Sequence, residues 1–169
     1  MKKVYKAIEN IYMKCVELLF RILKKDLTDK TRQTFKEFLQ FGLVGVSNTI
    51  VSYALYAITL GILINAGLFP SIDYFIANVV SFLLSVLWSF YWNNKYVFKA
   101  DDGEKRNIWA ALFKTYCSYA FTGLILNNVL LYLWVSALGI NKMIAPIINL
   151  IINIPINFFM NKLWAFGKK

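Results

Sequence analysis

Asn149-Leu150-Ile151-Ile152-Asn153-Ile154-Pro155-Ile156-Asn157-Phe158-Phe159-Met160-Asn161 sets four amides four residues apart in an otherwise apolar run. A second ladder, Ser81, Ser85, Ser89 and Asn93, precedes it at a constant offset of 68 (Asn93 to Asn161). A spacing of four keeps successive side chains on one slowly drifting helix face. Amides and hydroxyls on a helix of hydrocarbon length need hydrogen-bond partners, so both faces are expected to look inward and converge on one cavity. Each ladder runs into an aromatic and basic tag: Asn93-Asn94-Lys95-Tyr96-Val97-Phe98 against Asn161-Lys162-Leu163-Trp164-Ala165-Phe166. The repetition marks an internally duplicated membrane protein whose function is expected between the two ladders.

The 169 residues are 59% hydrophobic yet carry a net charge of +10, and the two properties are segregated along the chain. Four apolar stretches stand out, at about Phe41–Ile64, Tyr74–Trp92, Thr115–Leu138 and Met143–Leu163. At 1.5 Å per residue each reaches roughly 28–36 Å, enough for a hydrocarbon core of about 30 Å. The expected fold is an all-α membrane protein, with four transmembrane helices arranged as two parallel-repeat hairpins. An N-terminal amphipathic interfacial helix precedes them.

Residues 1–37 hold ten Lys or Arg, and the link between spans two and three holds Lys95, Lys99, Lys105 and Arg106. The tail adds Lys162, Lys168 and Lys169, whereas the other two connections share only Lys142. The positive-inside bias then puts both termini and the middle loop in the cytoplasm. Topology and anionic lipid account for the basic excess, so a nucleic-acid partner is not expected. Cys15 and Cys117 fall on the reducing side with no partner at metal-ligand spacing, so neither a disulfide nor a metal is expected. Glu17 and Arg21 interrupt the first apolar run and no small-residue cleavage site follows, which argues against a cleaved signal.

In residues 1–25, Val4, Ile8, Ile11, Cys15, Leu18, Leu19 and Ile22 recur at helical spacing. Lys2, Lys3, Lys6, Lys14, Lys24 and Lys25 supply the polar face and ends, as in a helix lying on a membrane; packing on a partner protein is the alternative. Asp26 to Arg32 is a polar break, with Thr28 placed to cap the next helix. The chain divides into residues 1–34, a cytoplasmic amphipathic helix and linker, and residues 35–169, with repeats at about 35–98 and 113–166. The first spans align at an offset of 79, which pairs Asn48 with Asn127, Tyr53 with Tyr132 and Gly45 with Leu124. The eleven-residue difference is assigned to the hairpins, long over Gly61–Asp73 and short over Gly139–Lys142. Repeats of two spans cross in the same sense, so the pseudo-twofold axis lies along the membrane normal. Pro155 withholds a donor from Ile151 and predicts a kink near Asn153.

The candidate substrate-binding residues are Asn48, Ser85, Ser89, Asn93, Lys95, Asn127, Asn153, Asn157, Asn161 and Lys162. Any one of these asparagines reads well as helix–helix glue. Two full ladders, with Asn48, Asn127 and Asn128 besides, read better as a polar groove. The tag aromatics Trp92, Tyr96, Phe98, Trp164 and Phe166 read as interfacial anchors, and Lys95 and Lys162 as snorkelling lysines or a phosphate contact at a shared mouth. No Asp, Glu or His stands in the middle of a span, which argues against proton coupling, acid–base catalysis and an enzyme generally. No cofactor is expected.

Phe38-Leu39-Gln40-Phe41-Gly42-Leu43-Val44-Gly45-Val46-Ser47-Asn48-Thr49 resembles the opening motif of the GtrA-like family of small four-span membrane proteins. Ser89-Phe90-Tyr91-Trp92-Asn93 with Tyr96 and Phe98 resembles one of its paired signatures; Asn157-Phe158-Phe159-Met160-Asn161-Lys162 with Trp164 and Phe166 resembles the other. Ser89 stands where that family often has Asn, and Ser52 where an acidic residue is frequent. The resemblance spans residues 35–167. It implies a bacterial-type cytoplasmic membrane and a role in cell-surface polysaccharide synthesis or teichoic-acid glycosylation. The implied activity is flipping of a polyprenyl-phosphate-linked monosaccharide, with membrane lipids around it. A non-transporting scaffold that anchors a glycosyltransferase is the alternative. A small-molecule exporter is disfavoured by the missing membrane carboxylate, and a homo-oligomer is left open.

Overall fold

The computed structural model describes residues 2–99, 106–141 and 144–167. Lys105, Lys142, Met143, Lys168 and Lys169, which entered the charge and span reading, lie outside these, as do the side chains of Lys2, Val4 and Pro146. The described residues form five helices and no strand. These are α1 (Lys2–Ile22), α2 (Asp29–Asn65), α3 (Asp73–Val97), α4 (Ile108–Ala137) and α5 (Ala145–Met160, continued by a wide turn Asn161–Ala165). The last four are long and apolar enough to cross a membrane, which makes this a multi-pass membrane protein.

Two of the helix starts are capped by a side chain. Thr28 caps α2 by accepting from the Thr31 amide at 3.2 Å, as its position in the polar break implied. Asn107 accepts from the Ala110 amide at 3.0 Å and opens α4. At 37 residues α2 exceeds the ~20 that a bilayer needs, so its first turns stand clear of the hydrocarbon. There α1 runs back along it. Gln40 donates to the Tyr5 hydroxyl at 2.8 Å, Lys36 pairs with Glu9 at 3.2 Å and Arg32 with Glu17 at 2.7 Å. Burial pushes the Tyr5 phenol up from its ordinary value, against the opposing hydrogen bond from Gln40. Exposed ion pairs contribute at most about 1 kcal/mol each. The attachment therefore depends mainly on the buried Met13 and Val16 and the edge contact of Phe20 on Phe35. Ile8, Ile11, Leu18 and Ile22, on another face of α1, remain exposed.

The duplication is visible in the backbone. α3 and α5 both end in a π turn, with Phe98 N–H donating to Asn93 O and Phe166 N–H to Asn161 O, each at 2.8 Å. The added residue in each wide turn shifts the register that follows and carries Phe98 and Phe166 inward. These two rings are core rather than the interfacial anchors that the tags suggested. They stack on each other at 4.9 Å, with Phe90, Phe41 and Phe158 packed around them. This aromatic plug closes the bundle at the end where α1 lies, hereafter the basic end.

The eleven-residue difference between repeats lies in the helices and not in the turns. In register α2 runs seven residues further than α4 and α3 starts four earlier than α5, which together account for the eleven. The halves also differ in regularity. α2 is unbroken, whereas α4 passes through π segments at Phe121–Leu126 and Leu133–Ala137, and α5 continues as helix through Pro155.

Candidate functional site

Both ladders turn inward, but they do not share one groove. Ser81, Ser85, Ser89 and Asn93 are buried, and the first two hydroxyls bond back to their own helix at Asn78 O and Phe82 O. Such hydroxyls are spent, and their small size suits close helix packing. Ser89 Oγ lies 2.7 Å from the Tyr119 hydroxyl of α4 and accepts from Asn93 Nδ2 at 3.2 Å. The first ladder thus ends behind Tyr119 and positions it.

The cavity itself lies between α2, α4 and α5 and has a volume of about 450 Å³. Asn48 and Thr49 come from α2, Thr122 and Asn127 from α4, and Asn153 and Asn157 from α5. Asn48 and Asn127, paired by the repeat register, therefore face one space. Spacing of four recurs on its walls, in Tyr119, Gly123 and Asn127 and in Phe41, Gly45 and Thr49. Tyr119, Thr122 and Thr49 escaped the sequence reading, which drew its candidates from the two ladders, their tags and the Asn48–Asn127 pair. The signal was present in Thr115, Ser118 and Thr122, which are all buried and all bonded to the preceding turn.

The amides divide by function. Asn149 is fully engaged. It accepts from Trp134 Nε1 at 2.9 Å and donates to Asn127 O at 2.9 Å and Asn127 Oδ1 at 2.8 Å, which ties α5 to α4. Asn161 donates to Asn157 O and Oδ1 at 2.8 and 3.0 Å. Asn153 donates to Asn127 Oδ1 at 3.4 Å, but its own Oδ1 is buried without a donor. Asn48 Oδ1 is in the same condition, as are Asn93 Oδ1 and Asn161 Oδ1, but of these four only Asn48 and Asn153 line the cavity. Leaving a buried acceptor unpaired costs about 1–3 kcal/mol, so a group in this cavity that donates to both oxygens is stabilised. No Asp, Glu, Lys or Arg lines this cavity, which is therefore suited to a neutral, donor-rich group.

The two lysines are not at a shared mouth. Lys162 pairs with Glu37 at 2.8 Å and donates to Thr34 Oγ1 at 2.7 Å, in a pocket of about 320 Å³ at the basic end that also holds Lys99 and Arg106. Arg106 spans the pseudo-twofold. It donates to Phe98 O at 2.7 Å, to Phe166 O at 3.1 Å and to Asn94 Oδ1 at 2.9 Å. Lys95 instead lies on the aromatic face of α3, donating to the Tyr91 hydroxyl at 3.0 Å. The one-step difference between the tags, Asn93-Asn94-Lys95 against Asn161-Lys162, separates the lysines, because one residue on a helix turns a side chain by about 100°.

Four membrane-length helices in two repeats, a polar cleft among them and a basic pocket at one end define a small duplicated membrane protein. The chain belongs to the GtrA/DPMS transmembrane-domain family, whose match covers residues 40–166. It is also 30% identical over 96 residues to the cell wall teichoic acid glycosylation protein GtcA of Listeria innocua serovar 6a. That match covers 57% of this chain and 65% of the relative.

Proposed function

We propose that this protein moves a polyprenyl-phosphate-linked monosaccharide across the cytoplasmic membrane for glycosylation of cell-surface polysaccharide or teichoic acid. The observation that carries the reading is the cavity whose amide oxygens, Asn48 Oδ1 and Asn153 Oδ1, lack donors. Sugar hydroxyls are neutral donors and acceptors, and exchanging hydrogen bonds with Asn48, Asn127, Asn153 and Asn157 replaces water during the crossing. Lys162, with Lys99 and Arg106, receives the phosphate at the basic end, which the positive-inside bias supports as the cytoplasmic side. Ser85, Ser89, Asn93 and Asn161 hold the walls. Family membership and the similarity to a protein of teichoic acid glycosylation support the same reading.

The test is reconstitution of the chain in liposomes with a labelled polyprenyl-phosphate sugar, comparing wild type with Gly45→Leu. A Cβ at Gly45 meets nothing within 4 Å, so leucine fills the cavity without a backbone clash. Wild type is expected to move the label and Gly45→Leu to lose most of that movement at unchanged thermal stability. Equal movement in both removes the cavity from the mechanism. The exposed Ile8, Ile11, Leu18 and Ile22 on α1 favour one second reading, a scaffold for a glycosyltransferase. That reading gains if wild type moves no label while a cell's glycosylation depends on this face.

A further inference from the structure

On the side of α2 away from the cavity, a groove of about 570 Å³ runs between α2 and α3 at the basic end. Its lining shares no residue with the cavity. Leu43 and Val44 form one wall and Trp88, Trp92 and Tyr96 the other, with Tyr5 of α1 beside Gln40. The aromatic wall is continuous: Trp88 meets Trp92 at 5.4 Å, and Trp92 stacks on Tyr96 at 5.4 Å with 18° between planes. Trp88 Nε1 is satisfied by Ser47 Oγ at 3.3 Å, but Trp92 Nε1 is buried with no acceptor. Lys95 Nζ sits 5.7 Å from the Trp92 ring centre and 5.4 Å from that of Tyr96, and has no carboxylate partner among the described residues.

A tryptophan that merely anchors a helix at the interface turns its N–H toward headgroups or water. Here the N–H is enclosed, and a cation is held beside an apolar trough by its contacts with three rings. The unmet groups are a donor and a positive charge. The occupant they fit has an apolar chain for the trough and an anionic, acceptor-rich head for the rim. A sugar headgroup is a poor match, since the trough walls between Leu43 and Trp92 are almost wholly hydrocarbon and ring.

We infer that this groove binds one anionic glycerophospholipid of the surrounding leaflet, its acyl chain against Trp88, Trp92 and Tyr96 and its phosphodiester on Lys95. Charge complementarity decides between lipids, because a zwitterionic headgroup brings its own cation to Lys95. A lipid seated there also touches Tyr5, so it links α1 to the α2–α3 pair. The inference stands apart from the transport reading, since it uses other residues and another face.

The test is native mass spectrometry of the purified full chain in detergent, supplied with equal phosphatidylglycerol and phosphatidylcholine. Wild type is expected to retain one phosphatidylglycerol in preference. Lys95 is exposed and screened by solvent, so the expected preference is modest, about two- to fivefold. Lys95→Gln, an exposed position that threatens no packing, is expected to abolish the preference, and Trp92→Phe to weaken retention of the lipid. Lys162→Gln is expected to leave both unchanged. Equal retention of the two lipids by wild type, or an unchanged preference in Lys95→Gln, overturns the inference. Displacement of phosphatidylglycerol by an equimolar polyprenyl phosphate overturns it too and gives the groove to the carrier lipid.

Discussion

Replacing Arg106 with alanine removes a side chain that holds equivalent carbonyls of both repeats, those of Phe98 and Phe166. Among the described residues, the bonds to Phe98 O, Phe166 O and Asn94 Oδ1 are lost, and the guanidinium also leaves the Phe166 ring at 5.2 Å. Charged hydrogen bonds contribute about 1.5–3 kcal/mol each when well desolvated. Arg106 is only half-buried, so the sum is discounted for solvent screening to about 2–4 kcal/mol. Arg106→Lys keeps the charge but lacks the planar fork that reaches two carbonyls, and should lose about half as much. The assay is equilibrium unfolding in mixed micelles, followed by helix circular dichroism and by the tryptophan signal. Alanine within about 0.5 kcal/mol of wild type would refute the clasp and the symmetric role given to the two tags.

Asn149→Leu, nearly isosteric, strips the bonds to Trp134 and Asn127 and should destabilise the α4–α5 pair by about 1–3 kcal/mol in the same assay, with a changed Trp134 emission. An unchanged midpoint would mean that these bonds are replaced locally. Glu37→Gln keeps the shape but releases Lys162 from its ion pair, so binding of a polyprenyl phosphate, measured by microscale thermophoresis, should tighten about three- to tenfold. Weaker binding would make Glu37 a support for the phosphate site instead of its competitor.

The helix count and the duplication were legible in the chain because both are local in origin. Span length follows from bilayer thickness, and the period of four in Ser81–Asn93 and Asn149–Asn161 follows from helix geometry. The inward turn of both ladders was legible for the same reason: polar groups at hydrocarbon depth have nowhere else to go. Their division of labour was not. Ser81 and Ser85 are satisfied by their own helix, Asn149 by Trp134 and Asn127, while Asn48 and Asn153 keep an oxygen for the cavity. Which partner a side chain reaches depends on helices distant in sequence, and spacing alone carries no trace of that. The π turns at Asn93 and Asn161 had the same origin in packing; they drew Phe98 and Phe166 into the core, where composition had put them at the interface. The lysines make the contrast sharpest. Sequence supplied two basic tags, but a single step of helix rotation set Lys162 beside Glu37 and left Lys95 on the aromatic face of α3, and only the assembled bundle decides what each side chain meets there.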